Sequence, residues 1–307
     1  MTINRRSFIQ SCSLFITAHL FGKSKETLAD ENMVNSHNQA GVLVDTTLCI
    51  GCRKCEWACK NINQLAFADM ESFNDDQVLA DLRRTSADSY TVVNQYEDVD
   101  ETGDVHFIKI QCMHCIDAAC VSACPIGALK RDPDTGAVVY DKGKCIGCRY
   151  CMIACPFDIP CFEYDEPLTA GISKCTFCLD RLQASPNNIP ACVEICPVEA
   201  LIFGKREKLV EIAKRRIYKY PNRYFDHIYG LHEAGGTAWI YLTDINPRKL
   251  GLKEVTRDPV PATSHNLLKS MFNFFLTPAS MIAVLASIRW LFRPRELVKS
   301  RNEEINE

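Results

Sequence analysis

The chain is poor in nearly everything that nucleotide chemistry, acyl transfer or nucleic-acid binding would need. Its 35 lysines and arginines are outnumbered by 38 aspartates and glutamates, for a formal charge of −3 and a pI near 6.2. Nucleic-acid-binding domains typically exceed a pI of about 9, so neither DNA nor RNA is expected as a partner. There is no dinucleotide fingerprint, no nucleophile motif and no molybdenum or nickel ligand set. The glycine pair Gly235-Gly236 reads as a tight turn into the strand-like run that ends at Leu242, not as a phosphate cradle. At 47% hydrophobic and 24% charged the composition is globular, which excludes collagen, coiled coil and wholesale disorder. Cysteine is the exception to this plainness. Eighteen in 307 residues is well above ordinary use yet below the roughly 8–10% of disulfide-built mini-proteins, so metal ligation is the leading explanation.

Sixteen of the cysteines form four sets of four. They are Cys49, Cys52, Cys55 and Cys59; Cys112, Cys115, Cys120 and Cys124; Cys145, Cys148, Cys151 and Cys155; and Cys175, Cys178, Cys192 and Cys196. The first and third follow the CxxCxxCxxxC spacing of bacterial ferredoxins. In sets two to four the last cysteine precedes Pro125, Pro156 and Pro197, whereas set one has Lys60 there. Three thiolates on one tight loop grip three corners of a 4Fe-4S cubane, and the fourth, at a helix entry, reaches the other cluster of a pair. Zinc takes four ligands from two pairs and leaves the third cysteine of each run unused.

Order along the chain then predicts two nested units. Sets two and three form an inner ferredoxin-like unit (105–162), and sets one and four an outer unit (41–66 and 167–204) that the inner one interrupts. With the fourth cysteines exchanged, cluster A takes Cys49, Cys52, Cys55 and Cys196, and cluster B takes Cys175, Cys178, Cys192 and Cys59. Cluster C takes Cys112, Cys115, Cys120 and Cys155; cluster D takes Cys145, Cys148, Cys151 and Cys124. Sixteen thiolates call for nearby cations, and Arg53, Lys54, Lys60, Lys144, Arg149, Lys174 and Arg181 lie within or beside the cysteine runs. Cys161 is left over and reads as a small buried hydrophobe.

The fold class expected is α+β: two interleaved bacterial-ferredoxin-like units with short β-hairpins and helices, plus one C-terminal transmembrane helix. Tyr90–Tyr96 and Val105–Ile110 flank a turn and read as a hairpin, with a second short pair around Asp132–Gly136 and Val138–Tyr140. Leu209, Ile212, Ala213 and Ile217 recur at helical spacing over 206–218. His227, His232 and His265 read as structural histidines, since nothing around them has haem-attachment spacing.

The ends carry addresses. Arg5-Arg6 before a short apolar stretch reads as a twin-arginine export leader over 1–29, which would discard Cys12. A four-cluster domain (30–204) and a C-terminal extension packing on it (205–264) follow. Met271 to Ile288 is eighteen residues without a charge, within the roughly 17–25 that cross a bilayer. Trp290 is placed as an interfacial anchor, and Arg289, Arg293, Arg295, Lys299 and Arg301 put the tail (293–307) in the cytoplasm. The expectation is a single membrane helix over 267–292, with the globular part on the periplasmic face of the inner membrane.

From Gly41 to about Leu250 the chain resembles the iron–sulfur electron-transfer subunits of the dimethyl-sulfoxide-reductase type. The resemblance rests on the order of the four sets, on the wide Cys178–Cys192 gap and on Gln111–Cys115, Cys145–Met152, Lys174–Arg181 and Pro190–Pro197. The leader, His232–Leu242 and the C-terminal helix make it most similar to the HybA type, the iron–sulfur proteins of periplasmic uptake nickel-iron hydrogenases. That resemblance implies a subunit that catalyses nothing alone. It would pass electrons between a periplasmic catalytic subunit and an integral membrane quinone-reactive subunit of the NrfD/HybB kind. The β subunit of a formate dehydrogenase or another molybdopterin reductase is the neighbouring alternative, and a structural or assembly module with non-redox clusters is the alternative of a different class.

Overall fold

The computed structural model describes residues 39–65, 68–97, 99, 103–164 and 171–261, together with 285, 286 and 289. The expected leader and nearly all of the expected membrane helix lie outside these residues. Among the described residues no helix is long and apolar enough to cross a membrane.

Strand and helix are mixed, as the α+β reading expects. The frame is a four-stranded sheet made of β1 (Ala40–Asp45), β8 (Leu201–Lys205), β9 (Ile228–Tyr229) and β10 (Trp239–Leu242), in the order β8-β1-β10-β9. β1 runs parallel to β10 and antiparallel to β8. Side chains alternate across a strand, and here the alternation divides two cores. Val42, Val44, Trp239 and Tyr241 face a core that contains Cys112, Cys175 and Cys192. Leu43, Ile240 and Leu242 face Leu209 and Ala213 of the long helix Arg206–Lys219. With both faces covered, β1 reads as a nearly unbroken apolar run, as a strand buried on two sides should.

Three two-stranded ribbons complete the sheets: β2 (Thr91–Tyr96) with β3 (His106–Gln111), β4 (Leu129–Arg131) with β5 (Val138–Tyr140), and β6 (Cys161–Phe162) with β7 (Ile172–Ser173). The first two are the hairpins expected from alternation. The helices in chain order are α1 (Lys54–Ile62), α2 (Ala119–Ser122), α3 (Tyr150–Ala154), α4 (Leu179–Ala184), α5 (Ala191–Glu194) and α6 (Arg206–Lys219). α2, α3 and α5 stop at or just before the cysteine that precedes a proline, because the residue before proline is driven out of the helical region. Set one has Lys60 instead, and α1 runs on to Ile62.

One buried carboxylate ties α1 to the first hairpin. Glu56, 2% exposed, accepts from Arg83 at 2.6 and 3.0 Å, from the Val93 amide at 2.6 Å and from Arg53 at 3.4 Å. Removing one member of such a network strands the others without water. Glu56→Ala is therefore expected to cost about 3–5 kcal/mol, read as a lowered denaturant midpoint of the anaerobically prepared protein. An unchanged midpoint would mean that the network is idle.

Candidate metal centres

Sets one and three are built alike. Asp45 accepts from the Thr47 amide and Asp141 from the Gly143 amide, and each cap turns the chain into its first cysteine. Gly51 and Arg53, then Gly147 and Arg149, take left-handed backbone angles (φ 70, 55, 69 and 62°), which curl each loop tightly. Glycine takes these angles freely. At Gly51 a side chain would also collide with the Phe107 ring. Set two bends at His114 and set four at Phe177 and Cys178, again with positive φ. The tails repeat as well. Gly127, Asp158 and Glu199, each three residues beyond a set's last cysteine, are left-handed, and their amides donate to the carbonyls of Cys124, Cys155 and Cys196 at 3.2–3.3 Å. Backbone amides also reach sulfur directly: Ala128 N to Cys124 at 3.2 Å, and Gly147 N to Cys145 and Phe177 N to Cys175 at 3.4 Å.

These loops bring cysteines of different sets together. Burial pushes the Cys49 thiol up to about 11, and Cys196 and Cys52 add to the push. Cys59 is raised well above the usual thiol range by burial, then by Cys175, Cys192 and Cys178. Cys115 is raised by burial and by Cys112, Cys155 and Cys120. Cys151 is raised to about 11 by burial, with Cys145, Cys148 and Cys124 contributing. Cys124 goes the other way: burial opposes ionisation, but backbone amides around Leu129, Ala128, Ile126 and Gly127 outweigh it. Electrostatic links between the groups exist too, for Cys192 raises Cys55, Cys112 raises Cys175, and Cys151 raises Cys120.

This donor set fits iron–sulfur clusters. Buried thiols that raise one another's pKa become thiolates only when a cationic core lies among them. Among the described residues no three His, Cys, Asp or Glu side chains converge closely enough to hold a single metal ion. Exposure differs from set to set. Cys59, Cys112, Cys120, Cys151, Cys175 and Cys192 are buried, while Cys148 is exposed beside the exposed Ile146, Tyr150 and Ile153.

The cations expected near the sulfurs are mostly engaged elsewhere. Arg53 pairs with Glu56 and lies over the Phe73 ring, Lys144 pairs with Asp141, Arg181 with Glu194, and Arg149 covers Phe162. Lys174 is buried and donates to the carbonyls of Val138 and Cys175. Cys161 is only half-buried and donates to the Thr85 carbonyl at 2.7 Å. His227 bonds Glu233 at 2.7 Å, the Gly235-Gly236 pair makes its turn at φ 81 and 96°, and His265 lies outside the described residues.

Lys109 is the residue that spacing missed. It is 3% exposed, inside the apolar strand β3. Burial alone would push its ammonium down, yet Cys192, Cys55 and Cys175 hold it above the usual lysine range. The signal was there to read: a lysine flanked by isoleucines in a hairpin strand, Ile108-Lys109-Ile110.

Residues 103–206 match the 4Fe-4S dicluster domain. The chain is 35% identical to the Hydrogenase-2 operon protein HybA of Escherichia coli O157:H7, with 95% of each chain covered. It is 52% identical to a protein of Nitratidesulfovibrio vulgaris over 70% of this chain, and spans 56% of that longer relative. It is 32% identical to the iron-sulfur subunit of the nitrate-inducible formate dehydrogenase of Escherichia coli K12, over 80% of this chain and 82% of that one. With full-length likeness to HybA and four cysteine sets meeting in one core, the chain belongs to the HybA family of 4Fe-4S electron-transfer proteins.

Proposed function

We propose that the chain carries electrons through four 4Fe-4S clusters, linking a periplasmic catalytic subunit to an integral membrane quinone-reactive subunit of the NrfD/HybB kind. The assignment is the exchanged one: A on Cys49, Cys52, Cys55 and Cys196; B on Cys175, Cys178, Cys192 and Cys59; C on Cys112, Cys115, Cys120 and Cys155; D on Cys145, Cys148, Cys151 and Cys124. The observation that carries this reading is that Cys59, Cys155, Cys124 and Cys196 each interact electrostatically with cysteines of another set. When bound, such clusters pass one electron at a time. The approaches of Cys55 to Cys192, Cys175 to Cys112 and Cys120 to Cys151 support the order A-B-C-D, with the outer unit (41–66 and 167–204) holding A and B and the inner unit (105–162) C and D.

The catalytic partner proposed is an uptake nickel-iron hydrogenase, a reading supported by the hydrogenase operon named for the full-length relative. A formate dehydrogenase is the second reading, supported by the 32% likeness to that enzyme's iron-sulfur subunit. The twin-arginine leader and the helix over 267–292 belong to this proposal, and would set the domain on the periplasmic face of the inner membrane.

Anaerobically prepared protein should hold about sixteen iron and sixteen sulfide per chain; zinc, or half that iron, defeats the four-cluster assignment. Cys59→Ser should damage the cluster on Cys175, Cys178 and Cys192. Spectroscopic loss confined to the cluster on Cys49, Cys52 and Cys55 would mean that the fourth cysteines are not exchanged.

Replacing Arg5 and Arg6 together with lysine should strand loaded protein in the cytoplasm, because the export receptor reads the arginine pair. Normal periplasmic yield of the variant, expressed without its partners, contradicts the leader.

Ending the chain after Ser264 should release a soluble, fully clustered protein. It should accept electrons from its catalytic partner without supporting quinone reduction in membranes. Quinone reduction at the intact rate would show the anchor to be dispensable.

A further inference from the structure

Lys109 shares one face of β3 with Phe107 and Gln111. The Phe107 ring lies against Gly51 in the first cysteine loop. Gln111 donates to the Tyr241 hydroxyl at 2.6 Å, and that hydroxyl donates to the Lys109 carbonyl at 2.8 Å. The Lys109 ammonium donates to Thr91 Oγ1 at 2.8 Å and to Gln111 Oε1 at 2.9 Å, and stands 4.5 Å from the centre of the Trp239 ring. These three partners are neutral, and among the described residues no carboxylate forms a salt bridge with it. An ammonium taken out of water without a counter-charge is strongly disfavoured.

The compensating charge has to come from sulfur. Trp239, beneath the ammonium, meets the Phe177 ring of the fourth cysteine loop edge-on at 6.2 Å, in a core that holds Cys112, Cys175 and Cys192 and against which Cys55, Cys115, Cys155 and Cys196 pack. Through Phe107 on Gly51 of the first loop and Trp239 on Phe177 of the fourth, Lys109 stands between the loops of the proposed A and B sites. Arg53 is committed to Glu56 and Lys174 to two backbone carbonyls. Lys109 is held only by uncharged groups, so its positive charge acts on the sulfurs undiminished by a nearby anion.

We propose that Lys109 is an electrostatic positioning residue for the electron path, a fixed buried positive charge that favours an added electron at sites A and B over sites C and D. The inference rests on the four-cluster reading above. Reduction of either site adds one electron, supplied by the redox partner, and makes or breaks no bond. The hairpin holds the charge in place: Thr91 pairs with Gln111 and Val93 with Lys109 across β2 and β3, so the ammonium cannot swing to water without breaking both of its hydrogen bonds.

The test is a redox titration of the full-length, anaerobically purified holoprotein, followed by electron paramagnetic resonance. In Lys109→Met, two of the four clusters should become at least tenfold harder to reduce, a fall of about 59 mV per decade for a one-electron couple. The other two should move by a small fraction of that. Lys109→Arg keeps the charge and should restore the wild-type potentials. Four unchanged potentials in fully loaded Lys109→Met overturn the proposal. Should that variant load poorly, Lys109→Gln drops the charge while keeping a polar group beside Thr91 and Gln111, and is read in the same way. Loss of two clusters in both uncharged variants, with retention in Lys109→Arg, would make Lys109 a purely structural residue and overturn the tuning role. A wild-type iron count well below sixteen would instead overturn the four-cluster reading, and the tuning with it.

Discussion

Thiolates repel one another, and a dry core strengthens the repulsion. Every other feature of this domain answers that constraint. Burial alone raises the thiols of Cys55, Cys59 and Cys115 well above their usual range, and their neighbours raise them further. The chain offsets this with backbone: left-handed residues at Gly51, Arg53, Gly147 and Arg149 curl the loops, and amides of Ala128, Gly147 and Phe177 donate to sulfur. Dipoles fixed in a loop stabilise anions without bringing in a mobile counter-ion. Among the described residues two lysines are committed to the interior as well, Lys109 and Lys174, and both lie close to cysteines.

The sheet explains how so polar a core is kept in register. β1 and β10 present Val42, Val44, Trp239 and Tyr241 to the sulfur-rich side and Leu43, Ile240 and Leu242 to α6. The second side is an ordinary hydrophobic core, and it gives the first a rigid wall. Asp45 links the two: buried at the end of β1, it caps the turn into the first cysteine loop and accepts from Arg216 of α6 at 2.5 Å and from Tyr224 at 2.8 Å. A carboxylate at this point serves both the geometry of the loop and the docking of the helix.

What was legible in the sequence was local. CxxC pairs opening each run were enough to gather sixteen cysteines into four sets. Alternation around Val92 and Ile108 located the hairpin, and Leu209 with Ala213 located α6. The fourth cysteine was expected at a helix entry, but in sets two to four the helix ends before Cys124, Cys155 and Cys196, and Cys59 of set one lies inside α1. The sheet was illegible because parallel pairing of Val42 with Trp239 leaves no signature in either segment by itself. The cations were legible only in part: Lys174 and Arg181 do act on Cys120 and Cys178. Arg53 and Arg181 also pair with Glu56 and Glu194, while Lys109 enters from a separate hairpin that packs over the first loop.

The parallel pairing of β1 with β10 has a temporal meaning. Thr46 Oγ1 donates to the Leu242 carbonyl across 196 residues, and all sixteen cysteines of the four sets lie between the two strands. Closing so long a loop is entropically costly and slow. A ribosome delivers every one of these cysteines before it delivers the strand that completes their wall. β10 is thus a keystone set last: a chain interrupted between Cys196 and Trp239 has all sixteen of these thiols but no closed sheet to hold them, so completion of synthesis is written into the architecture as a condition for a finished core.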